Sequence, residues 1–391
     1  MPLSLDTLKS RARALVPTLR ARAAECEALR RVPDSTIAEL HASGIFRMLQ
    51  PARVGGSELP YRALVEIGAI LAEGCASTSW VVTNLASHHW MLAMWPKEAQ
   101  DEIWGQSPDH LLGSSLVFPV GKATTVDGGY RLSGRWPFSS GVDPSRWNFV
   151  GGIVHDARGK PVEQRIFLIE APDYRIIDTW YAAGLKGTGS KDIEASEVFV
   201  PSHRTLPLSA MTAGTAPGCA VNPAPLYRLP VLGLFAFVVG GVSLGLARGA
   251  VADFTQSIHS RIATYSGRRL ADLANLQLKI AEASALADAA EALMLKGCDE
   301  ALRLIDEGAA PTVEQKARWR RDGAYAANLC TEAVNLLFAA TGGGGVYLDQ
   351  PIQRAFRDAH AANAHYALSW DVNGTQWGRI ALGLPAEPIV L

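Results

Sequence analysis

Residues 229–247 read LPVLGLFAFVVGGVSLGLA, and the fold turns on what this stretch is. It is about long enough to cross a bilayer. A helix that is apolar all round is either a membrane span or the interior of a protein. Pro230, Gly233, Gly240, Gly241 and Gly245 punctuate it, and neither an aromatic belt nor a cluster of basic residues brackets it. Gly241, Gly245 and Gly249 recur every four residues, a spacing that lets a neighbouring helix come close. The reading is a buried core helix, with no membrane partner expected.

The pattern stays helical from there to the C-terminus. Long helices are expected at 230–262, 270–306, 312–340 and 351–382, and four such helices joined by short loops make an antiparallel bundle. Before the last of them stand four consecutive glycines, 342–345. Pro351 suits the first turn of a helix, where its missing N–H is not needed. Arg357, Asp358, His360, His365 and Asp371 follow. His360 and His365 are five apart, do not share a helical face and make a poor pair of metal ligands; no metal is expected.

Towards the N-terminus, 4–31 reads as a helix rich in Leu, Ala and Arg. Pro33, Asp34 and Ser35 cap a second at 36–49, and 61–73 forms a third. A longer one, 77–95 (STSWVVTNLASHHWMLAMW), is apolar almost everywhere and should be buried. It carries Asn84, Ser87, His88 and His89, and polar groups inside a buried helix must find partners. His88 and His89 are either satisfied core histidines or ligand-facing groups.

Between the helical parts the texture changes. Residues 111–207 are rich in Val, Thr, Gly and aromatics in short alternating runs, the pattern of six to eight strands. Asp127, Gly128 and Gly129 between two such runs signal a hairpin. A Pro/Ala/Gly-rich connection follows and should be an exposed loop. The expected organisation is mainly α with a central β domain: a helical domain at 1–110, a β-barrel at 111–207, a connection at 208–225 and a four-helix bundle at 226–391.

Composition narrows the partners. The 391 residues are 48% hydrophobic and 19% charged, with a formal net charge of -1. Scattered basic residues and a neutral balance disfavour nucleic acid. Five widely spaced cysteines without a C-x-x-C fit a reducing, cytoplasmic setting.

Two stretches can carry chemistry. Arg135 to Gly141 reads RWPFSSG, placing Ser139 and Ser140 at a strand end, where they are either a turn or donors to a planar ligand. Gly184 to Ser190 reads GLKGTGS, after Trp180; such a loop can present backbone N–H groups and a hydroxyl to an anion or ring carbonyl. It lacks the strand–glycine–helix context of a dinucleotide site.

Taken together, the order helices, β domain, bundle resembles the acyl-CoA dehydrogenase fold. Four stretches are similar to the oxygenase components of two-component flavin-dependent monooxygenases: Cys75 to Trp80 leading to His88, His89 and Trp90; the Gly134 to Gly141 run; the Gly184 to Ser190 loop; and Arg357 to His365. In ordinary acyl-CoA dehydrogenases a catalytic glutamate follows an Arg-Asp motif; here its place falls at Tyr366, and no glutamate occurs between Glu332 and Glu387. The resemblance implies reduced flavin (FMNH2 or FADH2) delivered by a separate NAD(P)H:flavin reductase, O2, a C4a-hydroperoxyflavin and hydroxylation of a small aromatic, phenol- or indole-like molecule. It implies Ser139 or Ser140 at flavin N5, His365 near the peroxide or substrate hydroxyl, and His88 or His89 on the substrate with Ser114, Ser115 and Tyr366. It assigns Trp180, Thr188, Ser190, Arg228 and Arg261 to the flavin, the arginines from this subunit or a neighbour, and a homotetramer as assembly. The alternative is an acyl-CoA dehydrogenase with tightly bound FAD.

Overall fold

Six helices open the chain in the computed structural model, which describes residues 2–212, 214–263 and 266–386. They are α1 (Leu5–Ala21), α2 (Ala23–Leu29), α3 (Asp34–Ser43), α4 (Arg62–Ala72), α5 (Ala76–Leu92) and α6 (Lys97–Gln106). Ser4 caps α1 by accepting the Thr7 amide. The single helix expected over 4–31 is split at Arg22 into α1 and α2. The helix expected over 36–49 stops at Gly44, whose φ of 79° ends α3 in the left-handed conformation that glycine adopts without a Cβ penalty. All seventeen residues of α5 are buried.

Eight strands follow: β1 (Leu112–Ser115), β2 (Gly121–Val126), β3 (Gly129–Ser139), β4 (Trp147–His155), β5 (Pro161–Glu170), β6 (Arg175–Ile177), β7 (Lys191–Pro201) and β8 (Thr205–Pro207). They pair in the order β6-β7-β3-β2-β4-β5-β8, with β1 beside β4. The hairpin falls where its Asp-Gly signal stands: Val126 pairs with Gly129, and Gly128 takes φ 75°. Leu132, Trp136, Val150, Phe167 and Ile193 give the sheet a core of its own. The β3–β7 register slips between Trp136 and Ser139, where Phe138 takes φ 65°. That irregularity breaks the alternation of side chains just before Ser140.

The chain then forms α7 (Leu208–Thr212), α8 (Val231–His259), α9 (Ala274–Asp306), α10 (Val313–Ala340), α11 (Pro351–Asn363) and α12 (Trp370–Ala381). The expectation of an exposed loop at 208–225 is corrected. Met211, Ala216 and Asn222 are buried, and Gly218 sits so tightly on α5's end that a Cβ would lie 2.1 Å from the Ala93 carbonyl oxygen. The connection is anchored because Asn222 donates to that same carbonyl.

The apolar helix α8 is an interior element, with 83% of its most apolar window inside the protein. Its glycines seat α4: a Cβ on Gly241 would lie 2.6 Å from the Val65 carbonyl oxygen, and one on Gly245 2.1 Å from that of Ala69. The helix expected over 351–382 is two helices, α11 and α12, meeting at a break over 364–369. The Asn373 side-chain amide, shared among the carbonyls of Tyr366, Ala367 and Ser369, holds the break.

Candidate active site

One face of α5 carries Trp80, Asn84 and His88, four apart and therefore in line. Trp80 and His88 are about 12 Å apart along the axis at 1.5 Å per residue. At the first end, the Trp80 indole N–H donates to Ser140 Oγ at 3.2 Å. The Trp80 ring also stands edge-on to His365, centroids 5.5 Å apart. At the second end, His88 Nδ1 meets the Leu112 carbonyl of β1, and its ring stands edge-on to Phe149 at 5.8 Å.

Ser140 belongs to a chain of hydroxyls whose polarity can be read. Thr188 donates to the Leu185 carbonyl at 3.0 Å. Its oxygen, 2.6 Å from Ser190 Oγ, must then accept the Ser190 proton. Ser190, its proton committed, accepts from Ser140 at 2.7 Å. Ser140 therefore has its proton engaged, one lone pair on Trp80, and one lone pair left over, since a hydroxyl carries one donor and two acceptor sites. Ser139 turns the other way. It is fully buried and accepts from Asn148 Nδ2 at 2.8 Å. Ser140 alone of the two reaches the hydroxyl chain.

The loop that holds this chain is docked on three helices. The Leu185 amide donates to Asp358 Oδ1 of α11 at 2.6 Å, and the Gly187 amide to Ser77 Oγ of α5 at 3.2 Å. Cys26 of α2 lies so close that a Cβ on Gly187 would stand 2.2 Å from its sulfur. The Gly141 amide, donating to the Thr188 carbonyl at 2.9 Å, ties the serine corner to the same loop. Burial pushes the Asp358 carboxyl up to about 7. Trp180, half-buried, donates its N–H to the Leu185 carbonyl at 3.0 Å.

The histidines separate by tautomer. His365 Nδ1 accepts the Ala367 amide at 3.1 Å, so a neutral ring carries its proton on Nε2. His88 faces a carbonyl with Nδ1, which must be the protonated nitrogen, and its buried Nε2 lone pair has no partner among the described residues. Desolvation lowers both to about 4, so both are neutral near pH 7. His89 points elsewhere: its Nδ1 accepts from Trp104 of α6 at 3.2 Å, and the two rings stack.

The remaining residues are scattered. Ser115 is buried and donates to the Pro137 carbonyl at 2.6 Å; Ser114, its neighbour on β1, is half-buried. Tyr366 is 48% exposed, its ring 5.8 Å from the Arg320 guanidinium. Arg228 closes the turn before α8 and is half-buried, whereas Arg261 is exposed beyond α8. Arg261 lines a cavity of about 350 Å³ with Gly344, Gly345 and Gln350, apart from Ser140 and His365.

The family model "Acyl-CoA dehydrogenase, N-terminal domain" matches residues 5–106, and "Acyl-CoA dehydrogenase, C-terminal domain" matches 237–370. The FADH(2)-dependent resorcinol hydroxylase, oxygenase component, of Rhizobium sp. (strain MTP-10005) is 38% identical, over 96% of this chain and 94% of its own length. The crystal structure of the HsaA monooxygenase from M. tuberculosis superposes with a TM-score of 0.94 at 35% identity, covering 100% of both chains. The chain belongs to the flavin-dependent monooxygenases of acyl-CoA dehydrogenase fold. XiaF from Streptomyces sp., solved with FADH2 and glycerol, superposes with this monooxygenase at a TM-score of 0.91 and 28% identity, covering 99% and 98% of the two chains.

The donor set of this monooxygenase fits a reduced flavin. Reduced flavin carries N5–H, a donor, and the hydroxyl chain leaves Ser140 with one acceptor lone pair to meet it. The resemblance named the stretches that hold Asp358, Trp80 and Ser77 but gave these three no individual role. Asp358 was visible as part of an Arg-Asp pair, but its partner lies 173 residues away. Trp80 and Ser77 look like ordinary core residues until the serine corner is folded onto them.

Proposed function

We propose that this monooxygenase is the oxygenase component of a two-component aromatic hydroxylase. It takes FMNH2 or FADH2 from a separate NAD(P)H:flavin reductase, and one atom of O2 enters a phenol- or indole-like molecule while the other leaves as water. The observation that carries the reading is the pairing of one committed-proton hydroxyl, Ser140, with two neutral histidines of opposite tautomer.

Bound flavin supplies the two electrons that activate O2. Ser140 Oγ accepts the N–H at flavin N5 and so retains that proton. His365 offers Nε2–H to an oxygen of the reacting group. His88 offers a lone pair to a substrate hydroxyl or ring N–H from the far end of α5. Trp80 and Phe235 pack on the half-buried His365 ring and Phe149 on the buried His88 ring, narrowing the access of water. Thr188 and Ser190 act through Ser140, and Trp180 through the Leu185 carbonyl. Arg261, beside the glycines 344 and 345, is placed for a phosphate or a cofactor held by a neighbouring copy. A homotetramer is supported by the apolar side chains Val346, Tyr347, Leu348 and Leu382 left exposed at the C-terminal end. Five free cysteines support a reducing cytoplasm.

The dehydrogenase alternative asks for a carboxylate aimed at a thioester. Asp358 is instead occupied by the Leu185 amide, and Asp371 is exposed. The test is to supply photoreduced FMN or FAD and O2 with a panel of phenols and indoles. A hydroxylated product, with no oxidation of NADH by this chain alone, is expected. Turnover of acyl-CoA with a dye acceptor and no hydroxylation would overturn the proposal.

A further inference from the structure

The break between α11 and α12 is where a continuous helix would otherwise run, and His365 sits on it. Its backbone is held from the side. Asn373, 1% exposed, spreads its amide N–H groups over the Tyr366, Ala367 and Ser369 carbonyls at 3.4, 3.2 and 2.8 Å. The other end of that side chain, Oδ1, accepts from Arg320 Nε at 2.9 Å. Arg320 is 6% exposed, stands on α10, and reaches the Leu232 carbonyl at the start of α8 at 3.4 Å. Three helices are thus tied to one six-residue turn through one carboxamide and one guanidinium.

Both residues act on the turn: Asn373 on its carbonyls, and Arg320 on Asn373 and, at 5.8 Å, on the Tyr366 ring. Burying a guanidinium costs several kcal/mol relative to an apolar replacement, so this is not how a bundle is made most stable. What the arrangement does is fix carbonyl directions, and through them the Ala367 amide that His365 Nδ1 accepts. That contact sets both the ring plane and which nitrogen carries the proton. We infer that Arg320 and Asn373 are positioning residues that hold the 364–369 turn so that His365 presents Nε2–H beside Trp80. The inference rests on the proposed role of His365 for its functional consequence, but not for its structural one.

Two variants test it. Asn373→Asp keeps the acceptor for Arg320 but removes the donors to the turn. Arg320→Lys keeps the charge but loses the Nε fork. The first readout needs no flavin: diethylpyrocarbonate labelling of each histidine in the full chain, followed by peptide mapping. His365 labelling should rise about 10-fold in both variants as the turn opens locally, with buried His88 unchanged as reference. The second readout is H2O2 released after photoreduced FMN and protein meet O2 without an aromatic, compared with His365→Ala; both variants should move towards that substitution. Parent-level His365 labelling in the folded variants would overturn the inference. So would failure of both to fold, which would make the pair a folding element. If labelling rises but His365→Ala releases peroxide as the parent does, the placement stands and the proposed role of His365 fails.

Discussion

Asp358→Asn isolates a single buried titration that acts on the 184–190 loop through the Leu185 amide. The carboxyl is 2% exposed and burial lifts it from 3.8 to about 7. Between pH 4 and 7 the unfolded chain has released this proton while the native state keeps it, so stability falls as pH rises through that window. The slope is at most about 1.4 kcal/mol per pH unit, and three units give a ceiling of about 4 kcal/mol. His88 and His365 act with the opposite sign. They are lowered to about 4, so the unfolded chain binds their protons first as the pH falls below about 6.5, and they make the protein less stable in acid. The parent curve mixes both slopes; the difference between parent and variant does not. Asparagine retains an oxygen for the Leu185 amide, so the loop keeps its anchor. Urea midpoints at pH 4.5, 5.5, 6.5 and 7.5 should show the variant gaining on the parent as the pH rises, then levelling above pH 7. Parallel curves would show that the carboxyl titrates normally and that its burial is not felt.

Ser140→Ala removes the oxygen proposed to meet flavin N5, and the loss of one hydrogen bond to a reacting group should lower product formed per O2 about 10-fold with H2O2 appearing instead; Ser139→Ala should leave that ratio at the parent value, and the reverse pattern would exchange their roles. His365→Ala should leave reduced-flavin binding nearly unchanged while hydroxylation falls, and equal coupling of O2 to product would refute it. His88→Gln, which offers an oxygen in place of Nε2, should raise KM for a phenol more than it lowers kcat; a kcat-only effect would place His88 away from the substrate. Gly245→Ala forces α4 and α8 apart, since the new Cβ meets a carbonyl oxygen rather than a flexible side chain, and should cost about 2 kcal/mol in thermal or urea unfolding.

Much of the scaffold was legible because its signals are local. The glycine spacing of α8 announced a close neighbour, and the Asp-Gly pair fixed the β2–β3 hairpin. The break at 364–369 was not legible, because it depends on Arg320, some 45 residues earlier in the chain. Which of Ser139 and Ser140 faces the site was undecidable for a related reason: alternation fails where Phe138 adopts φ 65°. His88 and His89 could not be told apart because α5 is buried on every side, so no polar face orients it. The anchoring of the 208–225 connection at Met211, Ala216, Gly218 and Asn222 was not legible, because prolines and glycines mark turns without saying what they lie against.

The hydroxyl relay ends on a backbone carbonyl, and that end point gives it a direction. Oxidised flavin has a bare nitrogen at N5, and a lone pair on Ser140 would repel it; only the reduced form brings a matching proton. Under the proposed Ser140–N5 contact, Thr188 would decide which redox form is welcome by fixing the direction of the chain. Replacing it with valine would let the relay reverse, and discrimination between incoming and spent cofactor would fade.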